Sequence, residues 1–210
     1  MVSWILSWIR FQFGEVVDGY ETKVLNEREA RAAAGIMLLW ALFAFFSAFF
    51  LRDFVPLQIF VTIFMVDFVV RVLINPNYAP TMLLGKLATS HQKVEYTGAP
   101  QKRFAWSLGM IIAIIMFISV VVLWSLSWFN LVLCGMCLVF LFFESAFGIC
   151  LGCVMYAKLT PYIPQYCPGG VCEMFIQQPV QKMTSSRRTL LVFWLVLIAA
   201  LVIYNPFVGW

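Results

Sequence analysis

The sequence predicts an all-α membrane protein, a bundle of five transmembrane helices preceded by an amphipathic helix at the membrane surface. Hydrophobic residues make up 63% of the 210 residues and charged residues only 11%, whereas a soluble domain carries about 25% charge. The apolar residues come in blocks of about 20, the length that crosses a bilayer as a helix. The net charge is +4. We interpret the lysines and arginines as a signal of orientation in the membrane, because these residues are enriched on the cytoplasmic side of membrane proteins. We therefore expect the lipid bilayer as a partner and no nucleic acid.

The first predicted elements are an interfacial helix and the first span. Residues 1–13 carry Trp4, Trp8 and Phe11 at helical spacing, which is typical of a helix lying in the membrane interface. Asn26, followed three residues later by Glu29, predicts an N-cap with a capping box. The helix that begins there is expected to span the membrane over about residues 32–51.

Four further spans follow in a single integral membrane domain, 1–210. Each is an apolar block bounded by polar residues, Pro or Gly, and the block "TMLLGKL" between the second and third predicts a short amphipathic helix. The fourth helix is predicted to run without interruption from about Asn130 to Lys158. The predicted spans are about 54–74, 104–126, 130–157 and 189–207.

The positive charges predict the orientation. Five spans place the N-terminus and the loops 75–104 and 158–188 on one side of the membrane. Twelve lysines and arginines lie in these segments and only Arg52 lies on the other side, while Arg71 is inside a span. The N-terminus is therefore expected in the cytoplasm and the C-terminus outside.

Four of the six cysteines lie within the segment 150–172, on the predicted cytoplasmic side, where thiols are usually kept reduced. Cys150, Cys153, Cys167 and Cys172 have a spacing close to that of a four-thiolate zinc or iron–sulfur site. Alternatively, Cys150 and Cys153 alone form a catalytic thiol pair, or all four are inert and no cofactor is bound. We expect the four to converge at the membrane surface.

The predicted helix gives Cys150 and Cys153 a definite environment. They lie near its C-terminal end, where the helix dipole is negative and disfavours a thiolate. They also lie on the face opposite Gly148 and Gly152, which form a small-xxx-small packing seam. Cys134 and Cys137 lie on the seam itself and are expected to be small buried packing residues.

Three charged residues fall inside predicted spans and are candidate functional groups for that reason. Asp67 and Arg71 are four residues apart, which predicts an ion pair on one helix face, with Arg71 close enough to the span end to extend toward water. Glu144 is expected to pack inward near Arg71. The expected role is to lock the bundle, and the alternative is a proton relay.

Four segments carry a resemblance to a known family. "VLNEREARAAAG", "VDFVVRVLINPNYAP", "GAPQKRF" and "FFESAFGICLGC" together resemble a family of small bacterial integral membrane proteins catalogued as a domain of unknown function. The resemblance covers about residues 24–160 and implies a place in the bacterial cytoplasmic membrane. It implies no activity. The positions that match the family's characteristic residues are Asp67, Arg71, Gln101, Lys102, Arg103, Glu144, Cys150 and Cys153.

Three functions are compatible with these observations. The leading hypothesis is thiol redox chemistry or sulfur handling at Cys150 and Cys153, with a cytoplasmic thiol or sulfur-carrier protein as partner. The second is a non-catalytic subunit or scaffold of a larger membrane complex, its cysteines inert or holding a structural metal. The weakest is a small-solute transporter, because two matching halves with broken helices are not visible. Whether the protein is an enzyme stays open.

Overall fold

The computed structural model describes residues 13–125 and 127–159, and isolated positions beyond residue 184. The chain divides into two compact units, Met1–Glu173 and Met174–Trp210. In the second unit the described positions, 185, 188–190, 192, 193, 196 and 200, are helical. The predicted interfacial helix, most of the predicted fifth span, and Cys167 and Cys172 lie outside the described residues, so these expectations stay predictions.

The described part of the first unit is mainly helical and contains one two-stranded sheet. Three helices, Val55–Val69, Ala99–Met116 and Trp128–Phe142, each continue into a π-helical segment, Val70–Ile74, Phe117–Val122 and Phe143–Phe147 respectively. A 3₁₀ turn, Pro76–Tyr78, precedes the helix Pro80–Ala88. The elements are β1 (Val24–Asn26), α1 (Glu27–Phe50), α2 (Val55–Val69), α3 (Pro80–Ala88), β2 (Tyr96–Gly98), α4 (Ala99–Met116), α5 (Trp128–Phe142) and α6 (Leu151–Leu159).

Four of the described helical segments are long and apolar enough to span a membrane, which agrees with the first four predicted spans. They are Glu27–Phe50, Val55–Ile74, Ala99–Val122 and Trp128–Phe147. The predicted N-cap is confirmed, because the Asn26 side chain accepts a hydrogen bond from the Arg28 N–H. Glu29 completes the cap by accepting from the Asn26 side-chain amide at 2.9 Å. The amphipathic segment "TMLLGKL" is also helical, within α3.

The sheet brings the starts of α1 and α4 together. Strands β1 and β2 pair antiparallel, with Leu25 opposite Thr97, and each leads directly into a spanning helix. Helices α2 and α5 run the opposite way and finish near these starts. We call this end of the bundle, where α1 and α4 begin and where α3 and α6 lie, the polar end.

The four spans form a closed bundle in which α1 and α4 are each flanked by α2 and α5. The buried face of α1 consists mainly of alanines at helical spacing, which lets neighbouring helices approach closely. Its outward face carries exposed phenylalanines, and the Phe45 ring stacks on Phe49 and Phe46 on Phe50. Small residues inside and aromatic residues outside suit a helix surrounded by lipid. The buried residues of this face are Ala30, Ala33, Ala34, Met37, Ala41, Ala44, Ser47 and Ala48.

The predicted continuous helix from Asn130 to Lys158 is wrong, because the chain breaks at Gly148. This residue has φ 66°, a left-handed conformation that glycine adopts without a Cβ penalty and that commonly ends helices. The Gly148 N–H donates a hydrogen bond to the Glu144 carbonyl at 3.1 Å. A new helix, α6, begins at Leu151, so Gly148 and Gly152 do not share a helix face. The expected packing seam is therefore also wrong.

Each glycine instead makes its own close contact. A Cβ at Gly148 would overlap the guanidinium group of Arg31 on α1, and a Cβ at Gly152 would lie 2.6 Å from the Ala105 Cβ on α4. The first contact fixes the turn against α1. The second allows α6 to pack directly on α4.

Candidate functional site

A lysine lies at the centre of the polar end. Lys102 is in the first turn of α4, which Pro100 helps to start, and its side chain is 0% exposed. The ammonium nitrogen lies 3.0 Å from Oε2 of Glu27 on α1 and 2.7 Å from Oε1 of Glu144 on the π-helical end of α5. One buried cation therefore joins three of the four spanning segments.

A second cation balances the charge of this group. Arg31, one turn after Glu27 on α1, places Nε 3.4 Å from Oε1 of Glu27. We call Glu27, Arg31, Lys102 and Glu144 the Lys102 cluster. It holds two acidic and two basic groups, so charges that would be costly alone are compensated. Removing one member of such a group leaves its partners with less compensating charge.

Beside this cluster, Cys150 and Cys153 lie at the start of α6. The Cys150 carbonyl accepts the first hydrogen bond of the helix from the Val154 N–H at 3.1 Å, which makes Cys150 the residue that precedes the first turn. The predicted position at a helix C-terminus is therefore wrong. A helix N-terminus carries partial positive charge and favours a thiolate, and Cys-x-x-Cys motifs react most readily in this environment.

The two thiols contact each other and are shielded from solvent. Cys150 is 4% exposed and Cys153 is 1% exposed. The hydrogen bond with Cys150, followed by burial, raises the pKa of the Cys153 thiol. Lys102 is close enough to act electrostatically on both sulfur atoms. The arrangement is thus a buried dithiol with a neighbouring ammonium group.

A small cavity reaches Cys150 from within the bundle. Its volume is about 50 Å³, and its lining includes Glu144, Cys150, Gly152 and Trp106. The remainder of the lining is mainly apolar. Trp106 is 2% exposed, and its indole N–H has no hydrogen-bond partner among the described residues.

Asp67 and Arg71 form a second buried polar group, with a different character. Arg71 Nε donates to Oδ2 of Asp67 at 2.6 Å, so the predicted ion pair is present. The other carboxylate oxygen, Oδ1, accepts from both the backbone N–H and the hydroxyl of Thr81 at 2.8 Å. Arg71 also donates to the Thr81 hydroxyl. This group ties α3 to α2 through hydrogen bonds from Arg71 and Thr81 to Asp67.

Two expectations for these charges are wrong. Arg71 does not extend toward water, because its guanidinium is enclosed between Asp67, Thr81 and the rings of Phe68 and Trp106, 5.1 and 5.0 Å from Cζ. Glu144 binds Lys102 and not Arg71. Arg71 is already paired within its own helix, whereas Lys102 had no partner on α4 and lies at the same end of the bundle.

Of the other four cysteines, the structure describes two. Cys134 and Cys137 are partly buried and pack against the hydrophobic core, as expected. The convergence of Cys167 and Cys172 with Cys150 and Cys153 stays a prediction, because both loop cysteines lie outside the described residues. Within the part that is described, no three His, Cys, Asp or Glu side chains are grouped to hold a metal ion.

Glu27 and the turn at Gly148 were missed by sequence reasoning. Glu27 lies at the first position of α1, where the sequence predicts only the cap formed by Asn26 and Glu29. Lys102 was indicated only through the family resemblance. The sequence does contain a signal for Glu27 and Lys102. Both are charged residues at the start of an apolar helix, and two helices that begin at the same membrane face can bring such residues together. Gly148, between two apolar runs, was a possible helix end.

The chain belongs to the family described as "Domain of unknown function (DUF4395)", whose model matches residues 25–160. The matched segment contains the four described spans, the Lys102 cluster, and Cys150 and Cys153. No curated protein and no solved structure matches the chain.

Proposed function

We propose that this protein carries out thiol or sulfur chemistry at the membrane surface, with Cys150 as the attacking sulfur and Cys153 as the resolving thiol. The observation that carries the proposal is the contact of two buried thiols at the start of α6, beside the buried ammonium of Lys102. Paired thiols at a helix N-terminus next to a cation are typical of reactive cysteines.

The two cysteines have different roles because their positions differ. Cys150 precedes the first turn of α6, where the helix dipole stabilises negative charge. Cys153 donates its proton in the hydrogen bond to Cys150, and the raised pKa of Cys153 keeps it protonated. The Cys150 thiolate would attack an electrophilic sulfur and release the leaving group as an anion. Cys153 would then attack Cys150 Sγ, forming the Cys150–Cys153 disulfide, and its proton would pass to the second product as that product leaves.

Lys102 would support this chemistry through its charge, and Glu144 by holding the ammonium group in position. Lys102 raises the positive potential around both sulfur atoms, and its ion pair with Glu144 at 2.7 Å fixes the ammonium in place. Glu27 holds the same ammonium from the other side at 3.0 Å. The two carboxylates hold the ammonium group in place beside the two sulfur atoms.

We propose that the protein lies in the bacterial cytoplasmic membrane, with the polar end facing the cytoplasm. The excess of lysine and arginine on that side supports this orientation. A soluble thiol or sulfur-carrier protein would exchange electrons or sulfur with the site. Cys167 and Cys172 would complete a zinc or iron–sulfur site if they fold back onto the pair, and metal analysis of the purified protein tests this alternative directly.

A non-catalytic scaffold is the second candidate, and the low exposure of both cysteines favours it. Thiols that are 4% and 1% exposed are well placed as apolar packing residues. The transport alternative has less support, since Asp67 and Arg71 bind Thr81 and each other.

The test uses methyl methanethiosulfonate, a small neutral reagent that transfers a methylthio group to a thiolate and releases methanesulfinate. In the purified protein in lipid nanodiscs, Cys153→Ser should accumulate the methylthio adduct on Cys150. The wild-type protein should instead form the Cys150–Cys153 disulfide and release methanethiol. Peptide mass spectrometry distinguishes the two products.

A matched control exists within the chain. Cys134 and Cys137 have the same spacing but lie inside the regular part of α5, so Cys134→Ser with Cys137→Ser should leave both results unchanged. Equal labelling of all four cysteines, or labelling of Cys150 with no disulfide in the wild type, would support the scaffold instead.

A further inference from the structure

The cavity beside Cys150 limits what the site can accept. Its volume of about 50 Å³ corresponds to roughly three to five water-sized groups at about 10–15 Å³ each. A peptide disulfide does not fit such a space without rearrangement of α4, α5 and α6. A single sulfur atom added to Cys150, or a small inorganic sulfur compound, does fit.

The polar groups around the cavity favour an anionic occupant. The Trp106 indole N–H is a buried donor without a partner among the residues described, in a side chain that lines the cavity. The start of α6 adds partial positive charge at Cys150. Glu144 also lines the cavity, but Lys102 at 2.7 Å compensates its charge. An unused donor and a positive helix end would stabilise a terminal sulfur anion on Cys150.

We propose that Cys150 accepts a sulfane sulfur from a small inorganic anion and holds it as a persulfide in this cavity, with the Trp106 indole N–H donating to the terminal sulfur. The inference rests on the proposed thiol chemistry and names its substrate class. With thiosulfate as the donor, the Cys150 thiolate attacks the outer sulfur and the bond between the two thiosulfate sulfurs breaks. The products are the persulfide anion and sulfite, so atoms, charge and electrons balance without a further reactant.

Resolution of the persulfide also balances. The Cys153 thiol transfers its proton to the terminal sulfur and attacks Cys150 Sγ. The terminal sulfur leaves as hydrosulfide, and the Cys150–Cys153 disulfide forms. Transfer of the terminal sulfur to an external thiolate is the competing outcome, and it regenerates the Cys150 thiolate. In Cys153→Ser the first route is blocked, so the persulfide should accumulate.

The experiment treats the Cys153→Ser protein in nanodiscs with thiosulfate labelled at its outer sulfur. Labelled persulfide should form on Cys150 together with sulfite, and Cys150→Ser should give neither. Glutathione disulfide, a bulky donor, should leave Cys150 unmodified under the same conditions. Methyl methanethiosulfonate is run in parallel to report whether Cys150 can react at all.

Trp106→Phe tests the proposed donor, since it keeps an aromatic ring and removes the N–H. A hydrogen bond to a charged group contributes enough to change an equilibrium about tenfold. Persulfide loading should therefore fall about tenfold more than methylthio labelling does. Trp128→Phe, at the exposed start of α5, is the matched control and should change neither.

The outcomes separate this inference from the proposed function. A methylthio adduct without labelled persulfide overturns the sulfane-sulfur inference and leaves the thiol chemistry standing. Ready reaction of Cys150 with glutathione disulfide overturns the size restriction and with it the substrate class. Failure of both small reagents to modify Cys150 overturns the inference and the proposed function together.

Discussion

Lys102 shows how strongly one side chain can depend on others far away in sequence. It is enclosed at the polar end and paired with Glu27 and Glu144, which lie 75 and 42 residues away in the chain. A buried ammonium group without partners would be costly in a membrane protein. The carboxylates of Glu27 and Glu144 compensate the charge of the ammonium group, and the ammonium group compensates theirs.

Lys102→Met is therefore expected to destabilise the protein by about 3–5 kcal/mol, because it leaves the buried Glu27 and the partly buried Glu144 without their shared cation. The measurement is the free energy of unfolding in mild detergent. Lys86→Met, on the exposed side of α3, is the matched control and should change it by less than about 0.5 kcal/mol. Equal stability of the two variants would show that the cluster is not an ion-paired unit.

Cys153 gives a pH-dependent prediction. Its pKa is raised in the folded protein, so the folded state holds the thiol proton more tightly than the unfolded state does. The stabilising contribution is complete below the unfolded-state pKa, about 8.5, and is lost as the pH rises above it. The wild type should therefore lose more stability between neutral and alkaline pH than Cys153→Ala. Thermal unfolding across that range measures the difference, and parallel curves would contradict it.

At the scale of elements, the turn at Gly148 creates the candidate site. A continuous helix would place Cys150 near a C-terminus, whereas the turn gives it the N-terminus of a new helix. Gly148 does this with φ 66° and by packing against the Arg31 guanidinium, where there is no room for a Cβ. The break, the ion cluster and the dithiol are thus parts of one arrangement.

Gly148→Ala should destabilise the protein by about 2 kcal/mol or more, since a left-handed alanine alone costs about 1–2 kcal/mol and its Cβ meets Arg31. Gly135→Ala is the control. Gly135 lies inside α5 with open space around it, so alanine there should be neutral or stabilising by up to about 1 kcal/mol. Denaturation midpoints of the two variants give the comparison, and a fully stable Gly148→Ala would contradict the assigned turn.

The elements differ in how far the sequence predicts them. The four described spans and the Asn26 cap follow from apolar length and from local cap chemistry, which require no knowledge of neighbours. The Asp67–Arg71 pair follows from spacing on one helix. The partner of Glu144 could not be predicted in this way, because it depends on which helix starts meet. The break at Gly148 also depends on a tertiary contact, with Arg31 on α1.

At the scale of the whole molecule, the charge distribution predicts an orientation. The polar end is expected in the cytoplasm, because the loops on that side carry most of the lysines and arginines. Lys86→Cys on α3 and Asp53→Cys in the turn between α1 and α2 place single thiols at opposite ends of the bundle, both at exposed positions.

An impermeant maleimide distinguishes the two sides. With the native cysteines replaced by serine, it should label position 86 only in inside-out vesicles and position 53 only in right-side-out vesicles. The reverse pattern would place the dithiol on the external side, where thiols are readily oxidised. Labelling of both positions in one kind of vesicle would contradict the four-span bundle.

The most direct test of the central claim is a redox titration of Cys150 and Cys153. The protein in nanodiscs is equilibrated with mixtures of methanethiol and dimethyl disulfide, which deliver the same small methylthio group as methyl methanethiosulfonate. Free thiols are then alkylated, and the cysteines are mapped by mass spectrometry. The account predicts a reversible Cys150–Cys153 disulfide with a two-electron response, about 30 mV per tenfold change in the ratio of disulfide to dithiol, while Cys134 and Cys137 stay reduced. If Cys150 and Cys153 remain reduced at every ratio, or join only after unfolding, they are packing residues and the proposed chemistry is wrong.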